Sequence, residues 1–164
     1  MRSNEQPLRC LLVAPDTPVS TMADSFLAIR VSPDVQRKAQ EEGNRAIGSG
    51  RLSDPSDRQI LPYINAVVEE ARRWHPIAPM SLPYAADEDD SINDFRILKR
   101  ALLVSTIWWF TRNSDVYHDP KMFKPARSFP PYSEPPATGV TLGFGRQIYP
   151  GSALADASLF LIFA

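Results

Sequence analysis

Leu142-Gly143-Phe144-Gly145-Arg146-Gln147-Ile148-Tyr149-Pro150-Gly151, running straight into Ser152–Ala164, sets the terms for the whole chain. The Gly-Phe-Gly pair at Gly143 and Gly145 is not a phosphate loop, because no Gly-Lys-Ser/Thr ending follows it. Residues Ser152–Ala164 read as a helix that is apolar almost all the way round. Such a helix requires burial on every side. Nothing else in the chain obviously supplies that cover, so partner structure is expected outside it.

Before this segment, the stretch 113–141 is rich in proline, and the whole chain carries 16 prolines, nearly twice the usual share of about 5%. An irregular, surface-hugging meander is expected there. Short strands are expected between 78 and 105, at Met80–Tyr84, Arg96–Leu98 and Leu102–Ser105. The acidic run Asp87-Glu88-Asp89-Asp90 belongs to a connecting turn, where a solvated role outweighs cation binding. Earlier still, Pro62–Trp74 is a strong helix with Ile64, Val67, Val68 and Ala71 as its apolar stripe. Glu70 and Arg73, three apart, share one of its faces. His75-Pro76 ends it, since proline disfavours helix in the residue before it. A further helix occupies Thr17–Val31 within a segment of about 11–31. Ser32-Pro33-Asp34 then opens a polar, exposed helix over Val35–Glu42, with serine as cap and proline at the first position.

Composition excludes several classes. The chain has 43% hydrophobic and 23% charged residues, and 18 basic against 19 acidic side chains give a net charge of -1. That balance argues against a nucleic-acid partner. One cysteine, Cys10, rules out an internal disulfide and any site with two or more thiolates. The apolar run Leu11–Ala14 is too short for a signal peptide or membrane span, so the expectation is a soluble intracellular chain without a membrane anchor. His75 and His118 lack a second ligand at metal spacing and read as structural. Trp108-Trp109-Phe110 reads as packing.

Three segments together resemble the cytochrome P450 family, particularly its fungal microsomal members. Glu70-Ala71-Arg72-Arg73 is similar to the family's Glu-x-x-Arg helix, and Phe123-Lys124-Pro125-Ala126-Arg127 to its Pro-Glu-Arg-Phe region. Residues 142–151 are similar to Phe-x-x-Gly-x-Arg-x-Cys-x-Gly. A weaker fourth match, Ala14-Pro15-Asp16-Thr17, stands in the place of the oxygen-activating helix. Each pattern alone is weak; their order and spacing carry the resemblance. It implies a mainly α fold with a small β-sheet (α+β), the incomplete C-terminal part of the P450 fold, over residues 1–164. It also implies a heme cofactor, molecular oxygen and electrons from an NADPH-dependent reductase. Family members are usually bound to the endoplasmic reticulum membrane. A missing N-terminal half, or a full-length relative, is the partner the resemblance suggests.

The family's iron ligand is a cysteine thiolate, which pushes electron density toward O–O cleavage. Here the ligand position holds Tyr149. Gly143, Phe144, Gly145 and Gly151 remain as heme-contact positions, but Gln147 replaces the propionate-binding arginine, and Tyr84 stands where fungal relatives carry a propionate-binding histidine. A hydrogen bond to a charged group is worth about 1.5–3 kcal/mol, and a neutral amide recovers about half of it. Asp16 and Thr17 match the acid–alcohol pair that delivers protons to oxygen, in a setting crowded by Pro15 and Pro18; an N-cap is the plainer role. Glu70, Arg73 and Arg127 match the buried cluster that braces the fold. Tyrosinate ligation, as in catalases, is the enzymatic alternative, although a free phenol has a pKa near 10. A non-catalytic interaction module is the third. Tyr149, Gln147, Tyr84, Leu98 and Arg100 each differ from the family's Cys, Arg, His, Pro and Gly by one G-to-A or C-to-T change, the pattern of a decaying duplicate gene. The expectation is therefore a truncated, inactive relative of a heme-dependent monooxygenase.

Overall fold

A computed structural model describes residues 16–145 and 147–164, with only the backbone of residues 16–18 and 147. Its architecture is mainly helical with small antiparallel sheets. The helices are α1 (Asp16–Val31), α2 (Pro33–Ala46), α3 (Pro62–Trp74), α4 (Ile107–Phe110), α5 (Thr138–Thr141) and α6 (Ser152–Phe163), with 3-10 segments at Pro55–Ile60 and Pro125–Ser128.

Helix α3 is the hub, because its apolar stripe is wide enough to serve two neighbours. Val67 and Ala71 pack with Ala28 of α1, Val35 of α2 and Phe123. Ile64 and Val68 pack with Leu61 and with Leu159 and Phe160 of α6. The start of α3 is held from outside. Pro62 occupies the first position, and the N–H groups of Tyr63 and Ile64 donate to the Glu42 carboxylate at 2.9 Å each. A carboxylate at this end satisfies two free amides and meets the positive end of the helix dipole. Helix α2 is thus not the wholly exposed polar helix expected over Val35–Glu42. It spans Pro33–Ala46 and buries both Val35 and Glu42, seven residues apart on one face. Ser32 occupies the cap position without a side-chain hydrogen bond, and Asp34 pairs instead with Arg37 at 3.2 Å.

The strands differ from the expectation in register and number. β1 (Tyr84–Ala85) pairs with β4 (Leu102–Leu103), and β2 (Asp90–Ile92) with β3 (Phe95–Ile97), both antiparallel. No strand begins at Met80, since Pro79 and Pro83 lack the N–H that a ladder requires. The acidic run is not purely a turn. Asp90 opens β2, and Asp89 accepts from Arg96 at 2.9 Å and from the Lys99 N–H at 2.8 Å.

Between β3 and β4, exposed Arg100 sits at φ +69°. The left-handed region costs a side-chain-bearing residue about 1–2 kcal/mol, and the family resemblance puts glycine here. Glycine adds ~0.4–1 kcal/mol of unfolded-state entropy. Arg100→Gly is therefore expected to raise stability by roughly 0.5–1 kcal/mol, read as a higher urea midpoint; an unchanged or lower midpoint contradicts the strain.

Helix α6 does not find cover on every side. Ala155, Leu159 and Phe160 are buried, but Leu154 is 73% exposed. In α1 the small residues Thr21, Ser25 and Ala28 face inward while Phe26, Leu27 and Val31 face out. Of the aromatic run, Trp108 carries the Arg112 guanidinium 3.7 Å from its ring centre, whereas Trp109 is 59% exposed and packs edge-on against Phe110. None of the described helices is long and apolar enough to cross a membrane.

Candidate functional site

The conformation of the 142–151 loop follows from its glycines. β5 (Gly143–Phe144) and β6 (Gln147–Ile148) pair antiparallel, Gly143 opposite Ile148 and Phe144 opposite Gln147. Gly143 has φ +107° and Gly145 φ +57°, backbone conformations that need no side chain in the way. The Tyr149 N–H donates to the Leu142 carbonyl at 2.8 Å and closes the hairpin, and the Ser152 N–H donates to the Tyr149 carbonyl at 3.0 Å at the start of α6.

The Tyr149 side chain is half-buried and folds back over Gly151. A methyl group built on Gly151 would meet Tyr149 Cζ and Oη at 2.7 Å. Glycine at 151 therefore makes room for the phenol of this same loop. Phe144 and Ile148 are exposed beside it. Tyr84 lies half-buried in β1, and among the described residues it exchanges no hydrogen bond with the loop. Asp16 and Thr17 stand at the first described positions of α1. Their side chains, the Gln147 side chain, Arg146 and Cys10 lie outside what is described.

The structure brings Glu70, Arg73 and Arg127 together. Arg73 donates from Nε and Nη2 to the two Glu70 oxygens at 2.8 and 2.9 Å, and from Nη1 to the Thr111 and Pro120 carbonyls. Arg127 Nε stands 2.9 Å from Glu70 Oε2, a close ion pair whose N–H is not aimed at the oxygen. The Lys124 N–H donates to Glu70 Oε1 at 2.7 Å. All three charged side chains are almost wholly buried. The buried ring of Tyr117 lies against both guanidiniums, at 5.4 and 5.9 Å, and burial pushes its phenol up.

Two partners here escape sequence reasoning. Glu134 pairs with Arg127 and accepts from the His118 N–H at 2.8 Å, yet it lies in the proline-rich meander, where no periodicity marks an inward position. Asp156 of α6 joins Arg58 and Arg72. A lone acid in an apolar helix was the available signal.

Among the described residues the donor set does not suit heme. The position to which the resemblance assigns a thiolate carries a phenol, and that phenol is packed on the backbone of its own loop instead of standing clear of it. The cations and acids of the brace are spent on one another and on carbonyls.

Comparison with known proteins agrees with the fold. The family model for cytochrome P450 matches residues 6–164. Cytochrome P450 monooxygenase CLM2 of Gibberella zeae is 42% identical over 149 residues, covering 91% of this chain and 28% of the relative. O-methylsterigmatocystin oxidoreductase of Aspergillus flavus is 43% identical over 150 residues, again 28% of that protein. A zebra fish cytochrome P450 structure with progesterone superimposes at a TM-score of 0.80 and 27% identity, over 88% of this chain and 33% of that one. The chain thus spans about 28% of the length of these curated relatives. It belongs to the cytochrome P450 family.

Proposed function

We propose that this chain is a P450-family scaffold that does not carry out monooxygenation and does not hold heme tightly at its loop. The single observation behind this reading is the Tyr149 phenol lying on Gly151 at the ligand position. Catalysis in the family depends on a thiolate that donates charge to iron, and residues 142–151 contain no cysteine. On this reading the chain draws no electrons from an NADPH-dependent reductase and consumes no oxygen. What remains is a braced helical core whose exposed apolar side chains on α1 and α6 suit association with further P450-type structure.

Hemin titration of the purified chain is the test, followed by reduction under carbon monoxide. Only weak, nonspecific absorbance is expected, the same in Tyr149→Phe. An intense Soret band in the wild type that is lost in Tyr149→Phe would replace this reading with tyrosinate ligation.

A further inference from the structure

Helix α1 turns its large apolar side chains away from the core. Its inner face is Thr21, Ser25 and Ala28, small residues that let the helix lie close against Val67 and Ala71 of α3. On the outer face Val19, Phe26, Leu27 and Val31 are each more than half exposed. Val19, exposed Ala23, Phe26 and Leu27 stand at i, i+4, i+7 and i+8, the spacing of a single apolar stripe. Phe26 also rims a groove of about 600 Å³ between α1, α2 and the end of α6, where Leu161 and Ile162 are exposed.

The stripe is symmetric about Ala23. Val19 comes four residues before it and Leu27 four after, Ser20 and Phe26 three before and after, and Asp16 and Arg30 seven before and after. Steps of three, four and seven residues return to one side of a helix, so all seven positions share the outward face. Only the two outermost are charged, one acidic and one basic. Arg30 is exposed and forms no ion pair among the described residues.

We propose that α1 pairs antiparallel with α1 of a second copy of this chain, the two helices crossing at Ala23. Alanine at the two-fold axis lets the backbones approach closely. Val19 then meets the second copy's Leu27, Ser20 meets its Phe26, and basic position 30 meets acidic position 16, each contact occurring twice. A parallel pair would set Arg30 against Arg30 and acid against acid. Like charges repel, so the two ends of the stripe select the antiparallel arrangement.

Size and charge fit this occupant. A net charge of -1 adds little repulsion between copies. The exposed side chains of α1 with Leu161 and Ile162 offer on the order of 500 Å² per copy, against about 800 Å² per partner in a standard interface. The dimer is therefore one that dilution dissociates. The pairing rests on the association read above from the exposed faces of α1 and α6 and supplies its partner; it is independent of what the loop binds.

Sedimentation equilibrium of the full chain between about 1 and 100 μM is the test. The wild type is expected to pass from monomer to dimer across that range. Ala23→Glu sets two carboxylates face to face at the axis and keeps a good helix former at an exposed position. Its dimer should be lost, with the urea midpoint at the lowest concentration unchanged. Arg30→Asp and Asp16→Arg should each raise the dissociation constant about tenfold, and combining them should bring it back to within about threefold of wild type. A wild type that stays monomeric, leaving the stripe to other P450-type structure, overturns the proposal. So does a dimer or larger aggregate that survives Ala23→Glu, or a charge swap that restores nothing. Mass is read here and absorbance in the hemin titration, so failure of either leaves the other standing.

Discussion

Glu70→Ala is expected to lower the stability of the fold by about 3–5 kcal/mol. The Glu70 carboxylate is the only acid in contact with Arg73 among the described residues, and it also receives the Lys124 N–H and neighbours Arg127. Removing it strands Arg73, which is 1% exposed, with carbonyl partners but no counter-charge. Breaking a buried ion pair from one side costs about 3–5 kcal/mol. Whole domains are stable by only about 5–15 kcal/mol, so one such loss removes a large share of the margin. Glu70→Gln should lose less, because the amide oxygen still accepts from one of the two arginines. Urea unfolding followed by tryptophan fluorescence reads both variants. An alanine variant within about 1 kcal/mol of wild type, the value for a surface pair, would show that the cluster does not brace the fold.

That cluster also marks how far sequence reading reaches. Helix period puts Glu70 and Arg73 on one face, but their burial with Arg127 was legible only through the family resemblance, whereas α3 was legible because its apolar stripe is strict. Glu42 was not, since its partners are the backbone amides of Tyr63 and Ile64, more than twenty residues later, and a backbone amide leaves no mark in sequence. The strand pairs were read only loosely: with two or three residues each, alternation cannot register, and Asp89–Asp90 look like any charged turn. In the loop, the motif spacing located Tyr149, Gly143, Gly145 and Gly151. The fold of the phenol over Gly151 could not be read, because it depends on which way one side chain turns. Arg100 is the reverse case: its left-handed backbone is the local signature of a glycine position occupied by another residue.

Tyr149→Cys is expected to convert a chain that takes up hemin only weakly into one that binds it with thiolate ligation. The loop's shape does not depend on the phenol. The positive φ angles of Gly143 and Gly145 and the bond from the Tyr149 N–H to the Leu142 carbonyl are backbone features, and cysteine leaves them intact. Cysteine also lacks the ring that now lies over Gly151, so the face of the loop is cleared in the same step that supplies sulfur. A free thiol has a pKa of about 8.5, and a coordinating metal deprotonates it. Affinity should rise on the order of 100-fold or more, about 3 kcal/mol, with the red-shifted ferrous carbon monoxide band that thiolate ligation produces. Gln147 stands where the resemblance implies a propionate-binding arginine, and a neutral amide recovers only part of a charged hydrogen bond. Adding Gln147→Arg should therefore strengthen binding by about tenfold more, or roughly 1.4 kcal/mol. Tyr149→Ala separates the two contributions, since it clears Gly151 without a donor: binding there as strong as in Tyr149→Cys would assign the defect to the ring's bulk, whereas no gain in either variant would place it outside the loop altogether.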